Sequence, residues 1–438
     1  LIFGLFFNNF FFYVLAFIFF VEIFKNFYWK NLRFPVLTLK TILILSAGLV
    51  LEALILFYFL FLPEKIFYIF LLILNISAPL FFSGLVFVFE YLTVIWRKKT
   101  IKKATQKMSE FKNLTSIGIT GSYGKTSTKE FLYQILSNGF KVIKTKDHQN
   151  SEIGISRCVL REIKNEYQVF VCEMGAYTKG GIKLLCDIVR PKIGILTGVN
   201  EQHLATFGSM ENLLSAEGGK ELMESLPETG VGIFNGNNKH CLDLYNKTNI
   251  QKRLTNKDVF IRDLKVEKDF LSFSVFDGRD KENFKINLLG GYWVENLLLA
   301  ILAAKELGMT LKEISVACKK IKPIFRAANL IKSKQGFNII DATYSANFTG
   351  VISHLEHLKL WSGKKIIIMP CLIELGEAAR EVHFKIGEKI GEICDLAIIT
   401  TGDFFEEIKK GFLKKNKKEE NILFMEKIAL PSHHLASF

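Results

Sequence analysis

The stretch Ser116-Ile117-Gly118-Ile119-Thr120-Gly121-Ser122-Tyr123-Gly124-Lys125-Thr126-Ser127-Thr128-Lys129 decides the fold. Residues 116–120 are short and β-prone, the glycines at 121 and 124 make a turn, and Lys125-Thr126 opens a helical run through 136. That order is the layout of a phosphate-binding loop. Glycines let backbone N–H groups crowd around phosphate oxygens, a lysine reaches the β- and γ-phosphates, and the next hydroxyl can hold Mg²⁺. Gly121, Ser122, Gly124, Lys125, Thr126 and Ser127 are the candidate nucleotide contacts, with Thr126 also a metal ligand. The spacing, Gly-x-x-Gly-Lys-Thr, is shorter than the common Gly-x4-Gly-Lys-[Ser/Thr].

Working outward from the loop, β-type runs at 116–120, 168–172, 193–197 and 231–234 alternate with helical stretches. This alternation predicts a mainly parallel sheet covered on both faces. Between 257 and 290 the texture changes to short alternating strands (259–264, 271–276, 284–289), an antiparallel appendage. Helices are expected at 294–307 and 311–321, Lys322-Pro323 reads as a linker, and 324–438 returns to α/β with strands at 337–340, 365–369 and 396–400. The expected domains are a membrane region at 1–99, a central ATP-binding domain at 112–322 and a smaller α/β domain at 323–438.

The first hundred residues carry most of an apolar excess that includes many of the 41 Phe. Runs at 1–24, 36–62 and 66–96 each reach the roughly 20 residues that a helix needs to cross a bilayer. The first run lacks the basic start and small-residue cleavage site of a signal peptide. Lys25, Lys30, Arg33 and Lys40 mark the first connection as cytoplasmic, and Arg97, Lys98, Lys99, Lys102 and Lys103 follow the third span. The positive-inside rule then gives a multi-pass protein of the inner membrane, its N-terminus outside and its catalytic part in the cytoplasm. The net charge of +14 fits a membrane surface and phosphate-rich substrates. No basic stripe interleaved with exposed aromatics and no nucleic-acid motif is present, so no nucleic-acid partner is expected. The seven Cys are scattered without any C-x-x-C and read as reduced core residues. The chain starts at Leu1 without Met, which suggests an incomplete N-terminus.

The run Thr-Gly-Ser-x-Gly-Lys-Thr-Ser-Thr-Lys from Thr120 resembles the ATP loop of the Mur ligases, and further segments resemble the MurF branch. Asn150-Ser-Glu-Ile-Gly154 is similar to a segment that meets substrate and phosphate. Glu173, at the tip of the strand ending at 172, stands where an α/β nucleotide enzyme places a Mg²⁺ ligand. Asn200-Glu-Gln-His203-Leu-Ala-Thr-Phe-Gly-Ser209 resembles the family run whose His ligates a second Mg²⁺. Ile339-Ile-Asp-Ala-Thr-Tyr-Ser-Ala-Asn-Phe348 resembles the MurF signature, keeping Asp341, Tyr344 and Asn347, and Glu374-Leu-Gly376 with His383 resembles another MurF stretch. The resemblance implies nucleotide contacts from Asn296, Arg326 and Asp341, and substrate contacts from Asn150, Tyr344 and Asn347. It covers residues from about 112 to about 405.

The sequence departs from the family in several places. The family carries Ala-Lys-x-Glu, whose Lys is carbamylated to give a metal-bridging carboxylate. Here the segment is Ala216-Glu-Gly-Gly-Lys220-Glu-Leu222. Either Lys220 is carbamylated after a register shift, or Glu217 stands in, or the second metal is held poorly. Tyr292 and Trp293 replace His and Asn beside Asn296, forming either an aromatic base pocket or a buried helix start. Three apolar runs occupy the place of the UDP-sugar-binding first domain, and a C-terminal Lys-Gly-Ser segment is not found, as in a truncated chain.

Taken together, the resemblance implies an ATP- and Mg²⁺-dependent amide-forming ligase of peptidoglycan precursor synthesis. Lys125, Glu173, His203 and Lys220 would be catalytic, with Thr126, Glu173 and His203 on metal. It would join D-Ala-D-Ala or a similar amine to a muramoyl-peptide carboxylate, UDP- or lipid-linked, through an acyl phosphate. The alternatives are a glutamate-adding ligase of the folylpolyglutamate or poly-γ-glutamate type, or a membrane-tethered ATP-binding scaffold with impaired catalysis, the latter favoured by Gly219, Ala342 and Trp293.

Overall fold

The computed structural model describes residues 37–59, 61, 63–146, 149–200, 204–322, 329–343, 347–373 and 375–426. Two compact units divide the chain, Leu1–Lys98 and Lys99–Phe438.

In the first unit lies helix α1, Leu39–Phe59, and most of helix α2, Glu64–Glu110. Both contain stretches long and apolar enough to cross a membrane, among the described residues. All of α1 except Gly48 is at least partly exposed, and in α2 Val86, Phe87, Val88, Tyr91, Leu92, Ile95 and Trp96 are uncovered. The expected span at 1–24 lies outside the described residues. α2 runs past the expected end at 96. Ala104 and Met108, with Ile101 half-buried, form one helical face that packs into the core of the second unit.

The second unit begins its sheet at β1, Thr115–Thr120, followed by helix α3, Lys125–Leu136. Then come β2 (Val142–Lys144), α4 (Glu152–Glu162), β3 (Val169–Glu173), α5 (Gly181–Val189) and β4 (Ile193–Leu196). Short helices α6 (Leu204–Phe207), α7 (Met210–Ser215) and α8 (Lys220–Glu224) precede β5 (Val231–Phe234), α9 (Lys239–Lys247) and β6 (Gln251–Leu254). All six strands are parallel, in the order β2-β3-β1-β4-β5-β6. Strands buried on both faces must be apolar throughout, and β3 and β4 are buried along their length. The chain leaves β1 toward one edge and returns to its other side at β4. The C-terminal tip of β1 is thus the switch point where such sheets bind ligands.

The antiparallel appendage is β7 (Phe260–Val266), β8 (Leu271–Phe276) and β9 (Lys281–Ile286), followed by α10 (Val294–Glu306) and α11 (Leu311–Cys318). Both helices pack with α3 on one face of the large sheet, while α4, α5, α8 and α9 cover the other. Next come β10 (Asn329–Lys332) and β11 (Asn338–Asp341), paired antiparallel. This corrects the expectation that 337–340 joins the last α/β sheet, because the Ser333–Gly336 turn folds it back on β10 instead. That sheet comprises β12 (Ile366–Met369), β13 (Leu396–Ile399) and β14 (Ile422–Phe424), all parallel, with α12 (Phe348–Leu358), α13 (Ala379–Ile393) and α14 (Phe405–Leu413) around it. The described cysteines are all free and buried; burial pushes the thiols of Cys158, Cys186, Cys241 and Cys394 up to about 12, which leaves them inert.

Candidate active site

The phosphate loop emerges from β1 and is held by the loop after β4. Gly121 has φ +139° and an added Cβ would lie 2.2 Å from Thr197 Oγ1; Gly124 has φ +78° and a Cβ would lie 2.4 Å from Asn296 Oδ1. Both positions therefore require glycine. Thr197 donates its hydroxyl to the carbonyls of Thr120 (3.1 Å) and Tyr123, and Ser122 N–H donates to Gly198 O at 2.7 Å. Asn235, buried at the tip of β5, donates to Thr197 O (2.8 Å) and Glu295 Oε2 (2.9 Å). Gly124 starts α3 without a side-chain cap, and the first turn holds no acidic residue. The first-turn N–H groups are thus left for an anion, with the helix dipole behind them. Thr126 is exposed and Ser127 half-buried on that turn.

Two buried carboxylates stand beside the loop. Glu173 ends β3 in register with Ile119 and is 7% exposed. Its Oε1 accepts from Asn150 Nδ2 at 3.2 Å, its Oε2 lies 3.2 Å from Lys129 Nζ, and its N–H donates to Thr145 Oγ1 at 3.0 Å. Glu217, 3% exposed, has Oε1 3.5 Å from Lys125 Nζ, which also donates to Gly121 O.

Lys220, by contrast, is not turned to the loop. Its side chain is 59% exposed and pairs with Glu224 at 3.8 Å. Gly219, at φ +83°, closes a buried turn and starts α8 with Lys220 on its outer side. The neighbouring Glu221 is buried and structural: it accepts from Gly180 N (2.7 Å), Lys183 N (3.0 Å) and Ser215 Oγ (3.0 Å), capping α5.

Of the remaining candidates, Asn296 accepts from Thr128 Oγ1 at 3.2 Å beneath the loop helix. Trp293 is buried in the core edge-to-face against Phe131, so it starts a buried helix and is not available to stack on a base. Tyr292 reaches His354 Nε2 at 2.9 Å. Asp341 accepts from the N–H (3.1 Å) and hydroxyl (2.8 Å) of Thr343, and Asn347 caps α12 by accepting from Gly350 N at 2.8 Å. His383 is fully buried, accepting from Leu372 N and hydrogen-bonded to Ala379 O, a structural histidine. His203, Arg326, Tyr344 and Glu374 lie outside the described residues. Lys129 closes the loop run and Thr197 stands just before the Asn200–Ser209 run, but the sequence assigns neither of them a role, and Asn235 has no motif to single it out.

Among the described residues no three His, Cys, Asp or Glu side chains gather as a metal cluster. What stands at the loop is a hydroxyl and two carboxylates, hard oxygen donors. That set fits Mg²⁺, which is commonly held by one or two carboxylates plus substrate phosphates and water.

Fold and loop together define a P-loop nucleotide enzyme with a central parallel sheet. The Mur ligase middle domain matches residues 119–304. Over 316 residues the chain is 30% identical to the UDP-N-acetylmuramoyl-tripeptide--D-alanyl-D-alanine ligase of Bacillus subtilis, covering 71% of this chain and 68% of that one. A crystal structure of MurF from Acinetobacter baumannii superposes with a TM-score of 0.69 at 23% identity, covering 76% of this chain and 71% of that one. MurF of Thermotoga maritima in complex with ADP gives 0.65 at 24% identity, covering 75% and 74%. The chain belongs to the Mur ligase family. It is an ATP-dependent, MurF-like ligase of peptidoglycan precursor synthesis.

Proposed function

We propose that this chain joins D-Ala-D-Ala, or a closely similar amine, to the terminal carboxylate of a muramoyl peptide. The γ-phosphoryl of ATP passes to that carboxylate, the amine attacks the acyl phosphate, and phosphate leaves. Such chemistry depends chiefly on positioning and charge neutralisation. The loop N–H groups and Lys125 hold the phosphates. Glu173, fixed by Asn150 and Lys129, and Thr126 are the groups that would hold Mg²⁺, which when bound neutralises the phosphate oxygens. Glu217, not Lys220, supplies the second carboxylate. The family resemblance assigns further roles to His203, Arg326 and Tyr344, which lie outside the described residues. The observation that carries this reading is the buried Glu217 beside Lys125 of the loop, with Glu173 at the tip of β3, the strand paired with β1.

The apolar helices are read as a membrane tether. α1 is apolar over most of its surface, with Lys40 and Glu52 its charged residues, and is largely uncovered, as lipid contact requires. Lys98, Lys99, Lys102 and Lys103 add attraction to anionic headgroups, about 1 kcal/mol each near a charged surface. The tether places a cytoplasmic site at the membrane face, where a lipid-linked muramoyl peptide is at hand as well as the UDP-linked one. Detergent-purified protein offered ATP, Mg²⁺, D-Ala-D-Ala and each precursor tests both points by phosphate release and product mass. Turnover of neither precursor overturns the ligase reading, and turnover of the UDP form alone reduces the helices to an anchor.

A further inference from the structure

The loop helix carries a second lysine that the reaction as set out uses only to fix Glu173. Lys129, one helical turn beyond Lys125, is completely buried. Its Nζ lies 3.2 Å from Glu173 Oε2 and 3.5 Å from Glu130 Oε1, and makes no aligned hydrogen bond among the described residues. Glu130 is in turn paired with Lys144. An ammonium in a dry interior costs several kcal/mol unless its partners repay it, and ion pairs without good hydrogen bonds repay poorly. A core apolar residue would serve stability better.

The position of the charge is informative. Glu173 has Asn150 on one oxygen and the Lys129 charge on the other. A divalent cation arriving at that carboxylate alone meets a positive charge already seated there. One arriving with a triphosphate brings enough negative charge to outweigh it. Lys125 is likewise engaged, by Glu217 and by Gly121 O.

We propose that Lys129 is a resident counter-ion that makes Glu173 a poor metal ligand until nucleotide is present, so that metal and nucleotide load together. This rests on the assignment of Glu173 to the metal. Lys129 is a positioning residue; it need not touch substrate.

Mn²⁺ binding to the full-length protein in detergent, followed by electron paramagnetic resonance with and without a non-hydrolysable ATP analogue, tests this. The parent should bind Mn²⁺ weakly alone and at least about tenfold more tightly with the analogue. Lys129→Gln, which keeps a donor for Glu173, and Lys129→Met should bind Mn²⁺ alone about tenfold more tightly, shrinking that coupling. Lys129→Arg should behave as the parent. Unchanged metal-alone affinity in whichever of the Gln and Met variants folds overturns the inference. Tight nucleotide-free binding by the parent, abolished by Glu173→Gln, overturns it without any Lys129 variant. Failure of the parent to bind the analogue at all would instead strike the ATP-site reading itself.

Discussion

Replacing Glu217 by Gln separates two effects that the geometry sets in opposite directions. Glu217 Oε1 stands 3.5 Å from Lys125 Nζ, with side-chain exposures of 4% and 13%. Two unit charges at that distance attract by about 5 kcal/mol at an effective dielectric of about 20. Before nucleotide arrives, Lys125 is partly neutralised. If nucleotide binding gives up only a third of that attraction, removing it tightens metal-free ATP binding about tenfold. Catalysis should move the other way. The carboxylate proposed to help hold the metal is absent in the variant, so kcat should fall about 10²–10³-fold, a cost like that of removing one preorganised electrostatic contact. Fluorescent ATP-analogue titration in EDTA reads the first effect and phosphate release in Mg²⁺ the second. Lys220→Ala should change neither, because that side chain points outward to Glu224. Added bicarbonate should not stimulate the parent, since in the proposed site Glu217 takes the place of a carbamylated lysine. Weaker metal-free ATP binding with an unchanged kcat in Glu217→Gln would refute the reasoning, as would bicarbonate dependence abolished by Lys220→Ala.

Two further outcomes concern stability. Lys107 Nζ donates to Val159 O (2.9 Å), Leu160 O (3.0 Å) and Ile163 O (2.9 Å), closing the C-terminus of α4 with a positive charge. Lys107→Met keeps the stem and should cost about 2–4 kcal/mol in urea unfolding, whereas a loss under about 0.5 kcal/mol would place it among ordinary surface changes. His354, held against Tyr292, has its pKa lowered to about 4 by burial and, secondarily, by His357. Unfolded, it takes its proton near pH 6.5 while the folded protein refuses it until about pH 4, so stability drops as pH falls through that window, by up to about 2 kcal/mol at pH 5. His354→Asn should flatten that part of the unfolding profile, and an unchanged slope would count against the assignment.

The central sheet was legible because its signals are local. A glycine turn followed by Lys-Thr between an apolar strand and a helix permits few structures, and the other apolar strands follow with helical spacing between them. The short strands β2, β6, β10 and β14 were not. Val142–Lys144 and Ile422–Phe424 are three residues each, and Gln251–Leu254 is polar because it forms the sheet edge. Strands so short exist by virtue of the neighbour they pair with, which no local pattern records. The same limit applied within the site. Lys129 reads as one more helix lysine until the register of β1 with β3 brings Glu173 beside it.

The altered lysine segment shows where counting along the chain gives way to geometry. Counted back from Leu226-Pro227, Gly219 takes the place of the family's lysine and Lys220 is the nearest replacement. The structure offers a different measure, the turn between α7 and α8. Ala216, Glu217 and Gly218 are buried there, and a Cβ on Gly218 would lie 2.4 Å from the backbone of Leu214. The turn is therefore tight, and its one long polar side chain reaches toward Lys125. Glu221 caps α5 from the far side and pins the segment there. A shift that brought Lys220 inward would have to open that turn, break the α5 cap and bury a second lysine beside Lys125. The proposed role of the Glu217 carboxylate requires none of these, and that carboxylate already stands beside Lys125.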